Sequence, residues 1–256
     1  MLKKILSIVF LVVLIHACTN DTDQDLVNVT DDFDRGSILI NLADNIILPS
    51  YESFAVKMTL MKDVGQNFTS SPNQHSLEQI RASWLDAYKS WQRIEMFNIG
   101  KAEELQYHFY MNVYPLTVDD VENNIVNGTY DLNSVNNQDA QGFPALDYML
   151  HGIADNDLDL VAMYSTEPNA CKYSNYVSAV LDQMNSLTQE VLTHWKGSYR
   201  DIFINSKSNT ATSSLNKLVN DFIFYYEKGL RANKIGIIYQ QDNLLTDFTA
   251  LENVYL

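Results

Sequence analysis

The residues of this chain best suited to chemistry concentrate in one stretch, Gly142-Phe143-Pro144-Ala145-Leu146-Asp147-Tyr148-Met149-Leu150-His151-Gly152. Asp147 is set among apolar residues, and His151 follows four residues later, on the same face of a helix. An acid and an imidazole at that spacing can share a proton or hold two positions of one cation. Equally, His151 can be a helix-end histidine favoured by the negative end of the helix dipole, with Asp147 near the positive end. Gly142 can take a backbone conformation that other residues avoid, and Pro144 suits a first turn, where its missing N–H costs nothing. The stretch reads as a short helix with a turn at each end, aiming a carboxylate at water or into a cleft.

A second carboxylate stands out by its position. Leu77, Ile80, Trp84, Tyr88 and Trp91 follow steps of three and four residues. Continued at about 100° per residue, a helix over 77–99 carries Glu95 into the middle of that apolar stripe. A carboxylate facing inward is costly without a partner, which here is a bound cation, Arg81 or Arg93. His75, His108 and His194 show no paired metal-ligand spacing. There is no His-Glu-x-x-His, Gly-x-Ser-x-Gly or phosphate loop. Asp155, Asp157 and Asp159 alternate but lack the glycine and final Glu of a calcium loop, and read as solvated.

The elements that must position these groups are helices. Ile38, Leu39, Leu42, Ile46 and Ile47 recur at helical spacing, and Pro49 marks a kink or a new start. Tyr51, Phe54, Met58 and Met61 continue the period to Gly65, and Ser76 with Gln79 has the form of a capping box. Gly100 closes the 77–99 helix. An apolar-aromatic segment over 105–114 stops at Pro115, and a helix from Val118 ends near Asn127-Gly128. Two long helices follow, about 173–195 and 212–230, the latter with Leu215, Leu218, Phe222, Tyr225 and Tyr226 as its stripe. No useful strand alternation occurs, so the fold class is all-α.

Composition bounds the rest. At 256 residues, 46% hydrophobic and 11% aromatic, the chain can bury a real core. A formal charge of −15 without a basic stripe excludes nucleic acid as a partner and is compatible with cation binding. Residues 1–17 read as a signal peptide: a basic start at Lys3-Lys4, then an apolar run too short for a comfortable membrane span. The run ends Leu14-Ile15-His16-Ala17-Cys18, similar to a bacterial lipobox, which makes Cys18 the site of lipidation and the membrane a partner through the anchor. Residues 18–32 then form an acidic tether, and the expected location is the cell envelope, at the outer membrane. With Cys18 acylated, Cys171 has no partner for an intrachain disulfide.

Several segments together resemble the imelysin family, the M75 peptidase-like proteins. They are Ile47-Leu48-Pro49-x-Tyr51-x-x-Phe54, Trp84-x-x-Ala87-x-x-x-Trp91 with Glu95, Phe97 and Gly100, Tyr114-Pro115, the 142–152 stretch, and Arg231-Ala232-x-Lys234-Ile235-Gly236. The resemblance implies two helical bundle-like halves about a shared cleft, here 33–165 and 166–256, the second half incomplete. It leaves Trp195, Phe222, Tyr225 and Tyr226 with exposed apolar faces. It also implies an exported protein that is a peptidase or binds metal in iron uptake. The family signature Gly-x-His-x-x-Glu here reads Gly142-x-Pro144-x-x-Asp147. Pro144 has no side-chain lone pair, so it can neither bind a metal nor move a proton. That departure implies a binding role without catalysis, toward a small ligand, a cation such as iron or another divalent metal, or an envelope protein. Glu95, Asp147, Gly142, Pro144, Trp91 and His151 are the expected ligand-binding residues, with Glu95 and Asp147 as metal ligands. The alternative is a metallopeptidase that uses Glu95, Asp147 and His151.

Overall fold

The computed structural model describes residues 32–236, so the leader, Cys18, the tether to residue 31 and the tail from 237 lie outside the described residues. Helix α1 (Arg35–Leu42) passes through a π-helical turn at Ala43–Ile47 into α2 (Leu48–Ser70). Pro49 therefore sits in a first turn, where it breaks no hydrogen bond. Tyr51, Phe54, Met58 and Met61 are buried, as their spacing requires. The helix does not stop at Gly65, because that glycine faces the partner helix: a Cβ there would lie 2.2 Å from the Leu181 side chain.

Helix α3 (Gln74–Trp91) is closed at its start by Asn73 rather than by a Ser76/Gln79 pair. The Asn73 side chain accepts from the Ser76 N–H at 3.0 Å, and the Asn73 N–H donates to Ser76 Oγ at 3.1 Å. The helix also ends earlier than the periodicity predicts. After Trp91 the chain turns, with Ile94 N–H donating to the Trp91 carbonyl at 2.9 Å, and Ile94, Phe97 and Ile99 all buried. Glu95 is thus in a turn, not on the helical stripe.

The segment expected over 105–114 is two short helices, α4 (Lys101–Glu104) and α5 (Tyr107–Met111), separated by a left-handed Gln106. Helix α6 (Val118–Asn127) ends at Gly128, and a 3₁₀ turn at Val135–Ala140 leads to α7 (Gly142–Asp147). A π-helical turn, Tyr148–Gly152, extends α7, and α8 (Asp157–Ser165) follows with Asn156 as its cap. Helix α9 (Ala170–His194) runs through another π turn, Trp195–Tyr199, into α10 (Arg200–Asn205). The last elements are α11 (Ser214–Phe224) and a π-helical segment, Tyr225–Gly236.

Helix α2 packs along both α3 and α9, and α7 lies across α3 and α9 at one end. Helix α9, from the expected second half, is therefore in the same core as α2, and the described residues from Arg35 to Gly236 belong to one compact unit. Trp195, expected to be exposed, is 0% exposed and packs on Tyr51, Tyr199 and Phe203. Phe222 and Tyr226 are exposed on α11 and its extension, alongside Val219, Ile223 and Phe224. No strand occurs among the described residues. Nor, among them, is any helix long and apolar enough to cross a membrane.

Candidate functional site

The 142–152 stretch is tied into the scaffold through its backbone. Gly142 holds φ +74°, and a Cβ there would lie 2.4 Å from the Met111 carbonyl oxygen. Only glycine lets α7 seat against the end of α5. The π-helical turn at 148–152 leaves backbone carbonyls outside a regular ladder, and neighbouring side chains take them up. Tyr164 donates to the Met149 carbonyl at 2.8 Å, and Arg81 Nε to the Leu150 carbonyl at 2.8 Å. Arg81 also grips Asp157 through both terminal nitrogens, at 3.0 and 2.8 Å, holding the Asp157 carboxyl below its usual range. The expected Arg81–Glu95 pair is therefore replaced by Arg81–Asp157.

Asp147 and His151 do meet. Nδ1 of His151 lies 3.1 Å from Asp147 Oδ1 and 3.1 Å from the Asp147 backbone oxygen. Only the backbone contact has hydrogen-bond alignment, so Oδ1 is buried without a hydrogen bond. The His151 ring stands edge-on to Trp84, and Trp84 Nε1 donates to the Phe143 carbonyl at 3.2 Å.

Glu95 lies in different surroundings. It lines a cavity of about 330 Å³ formed between the 95–114 segment and the 221–233 segment. Its Oε1 accepts from Asn112 Nδ2 at 3.0 Å and its Oε2 from the Tyr225 hydroxyl at 3.3 Å. The Lys234 ammonium, from the C-terminal π-helical segment, also bonds Oε2, and both side chains of this pair are only 10% exposed. The same ammonium stands 5.3 Å from the centre of the Tyr225 ring.

Across the cavity, Asp221 Oδ2 accepts from the Asn98 backbone N–H at 2.6 Å. Burial raises the Asp221 carboxyl to about 6; the Asn98 bond opposes the rise and the charge of Glu103 adds to it. His108 Nδ1 lies 3.3 Å from Asn98 Oδ1. Burial pushes its imidazole below the usual value, against the pull of Glu95, so the ring is largely neutral at pH 7. Phe109, Tyr114, Phe224 and Tyr225 supply aromatic wall, and Lys228 a cation at the rim.

The imelysin (peptidase M75) family model matches residues 47–243, more than half of the chain. The chain belongs to the imelysin family. Iron-regulated protein A of Synechococcus elongatus is 29% identical over 73 residues, 28% of this chain and 20% of that protein. An imelysin-like protein from Psychrobacter arcticum superposes with a TM-score of 0.57 at 19% identity, over 75% of this chain and 59% of the other. An iron-regulated protein A precursor from Parabacteroides distasonis gives 0.58 at 21% identity, over 81% and 58%. The match thus spans about a fifth of the first relative and under two thirds of each of the two solved structures.

Within this imelysin fold the six expected ligand-binding residues separate. Glu95 lines the cavity. Asp147, His151, Gly142, Pro144 and Trp91 do not. Trp91 is 1% exposed and packs on Phe54, Tyr107 and Phe143. Asp147 and Glu95 share no hydrogen-bond partner, and Glu95 already holds an ammonium. Among the described residues no group of three His, Cys, Asp or Glu side chains could hold a metal ion. With Pro144 unable to ligate, the residues described do not fit a protein-held metal.

The periodicity missed Asp221, His108, Asn98 and Asn112. Asp221 was detectable by the criterion that selected Glu95: it lies three residues after the buried Leu218 and four before Tyr225, on the inward stripe of α11. The sequence reading placed Phe222 on that stripe instead, whereas it is 48% exposed. Lys234 was visible as part of a family segment, but nothing local pairs it with a residue 139 positions away.

Proposed function

We propose that this imelysin is a lipid-anchored protein of the bacterial cell envelope that binds a small ligand in the Glu95 cavity without hydrolysing it, in an iron-linked role. The observation that carries this reading is the cavity. It combines aromatic wall, half-buried acids and amides, which is the composition of a binding pocket, at a volume suited to a small molecule. Replacement of the signature histidine by Pro144 supports binding over proton transfer, since proline offers neither donor nor lone pair. The lipobox-like Cys18 supports the anchor and outer-membrane placement. The names of the Synechococcus and Parabacteroides relatives support the iron link.

The test uses the full chain expressed in a bacterium and isolated from its envelope. Radiolabelled palmitate should enter the protein and be lost on Cys18→Ser, and its amount should change when iron is withdrawn. The purified protein, supplied in turn with zinc and ferrous iron, should leave casein and a peptide library intact. Chelator-sensitive cleavage that disappears on Asp147→Ala would overturn the reading in favour of a metallopeptidase.

A further inference from the structure

The cavity contains two carboxylates in opposite electrostatic situations. Glu95 already has a cation: the Lys234 ammonium bonds its Oε2, Gln92 Oε1 and, at 3.2 Å, the Tyr225 hydroxyl. That arrangement, a carboxylate with neighbouring amide and phenol oxygens about one ammonium, is a charge-assisted way to hold an organic cation in a partly desolvated site. Asp221 has no cation within ion-pair distance among the described residues. Its Oδ2 is held by the Asn98 N–H, which leaves Oδ1 free of any protein hydrogen bond among them. The wall near it offers Phe224 and Phe109, while His108 is largely neutral and brings no compensating charge.

We propose that the cavity binds a small organic cation, a protonated amine or guanidinium on an apolar body, with Asp221 as its counter-ion and the aromatic wall around its body. This rests on the cavity being the binding site proposed above. Lys234 is the internal precedent for the same recognition at Glu95. The ligand takes the second carboxylate without displacing Lys234, so the buried Glu95–Lys234 pair remains as fixed wall. Asn98 positions both sides of the site: its N–H orients the Asp221 carboxylate, and its side-chain oxygen faces His108 Nδ1. A metal ion is a poorer occupant, because Glu95, His108 and Asp221 line the cavity without coming together as a ligand group.

The charge of Asp221 also gives the site a pH dependence. The groups around it are Glu103, His108, the Glu95–Lys234 pair, Lys228 at the rim and the buried Tyr51 hydroxyl. None of them supplies a cation at ion-pair distance that would hold Asp221 ionised at low pH. Cation binding should therefore strengthen as pH rises through about 6.

The experiment is calorimetric titration of the full chain with 2-phenylethylamine, a protonated arylalkyl cation, and with 2-phenylethanol, its neutral counterpart. At pH 8 the amine should bind about tenfold tighter than the alcohol, the preference expected of one charge-assisted contact. The preference should shrink at pH 5, an arm that needs no variant. Asp221→Asn, its fold checked by circular dichroism, should abolish the preference while leaving the alcohol unchanged. Equal binding of the two probes to the wild type would overturn the cation inference and leave the cavity reading standing, whereas binding of neither would overturn the inference outright. Peptide cleavage by the same preparation would instead overturn the non-catalytic reading.

Discussion

Two acid-bearing regions of this protein look alike in sequence and differ in structure. Around Asp147 side chains engage four backbone carbonyls, Trp84 at Phe143, His151 at Asp147, Tyr164 at Met149 and Arg81 at Leu150, and Asp147 Oδ1 is buried against His151. The segment that carries the family signature serves here to lock α7, α3 and α8 together. Around Glu95 and Asp221 the chain instead encloses space, and one of the two acids is left without an internal cation. A signature therefore marks where a family keeps its architecture, whereas a carboxylate that lines open space without an internal cation marks where a particular member can take a ligand.

Substitutions can break or sharpen this contrast. The largest effect is expected for Glu95→Ala, which leaves the 10% exposed Lys234 ammonium with the Gln92 and Tyr225 oxygens but no counter-charge and should cost about 3 kcal/mol in urea unfolding. The pair Glu95→Gln with Lys234→Met should recover most of that loss. Gly142→Ala comes next. It forces a side chain into a left-handed conformation and against the Met111 carbonyl, and should lower stability by about 2 kcal/mol in the same assay.

Asp221→Asn has the opposite sign. The folded state holds the Asp221 proton up to about pH 6, whereas the ordinary value is 3.8, so the folded protein binds the extra proton between those limits. Stability falls as pH rises through that window. The variant should raise the thermal midpoint by a few degrees at pH 8 and not at pH 4. A higher midpoint together with loss of amine preference would show an acid kept for binding at the expense of stability. The smallest effect is expected for Asp147→Asn, about 1 kcal/mol, with amine binding unchanged. If it weakened binding as much as Asp221→Asn, the division between the two regions would fail.

Much of the fold was legible. Strong three- and four-residue periods located the long helices, and Gly142 and Pro144 located the start of α7, because those signals are local. The site was less legible because its parts are joined by distance in space. Glu95 was selected by projecting a helix through residue 95. The helix ends at Trp91, and Glu95 is buried through the turn that Ile94 and Phe97 pull inward. The Glu95–Lys234 and Asn98–Asp221 contacts join segments more than 120 residues apart, which no local spacing encodes. The π-helical turns at 43–47 and 148–152 were likewise invisible, since they shift the period inside stretches that read as ordinary helix, while those at 195–199 and 225–236 carry the chain past the ends that the periodicity predicts.

The most direct test of the account is a ¹⁵N chemical-shift map of the full chain titrated with 2-phenylethylamine at pH 8. Binding at the Asp221 carboxylate predicts saturable shifts at the Asn98, His108, Asn112 and Tyr225 amides, with Asp147 to Gly152 unmoved. Shifts centred on Asp147 to Gly152, with the cavity amides silent, would contradict it.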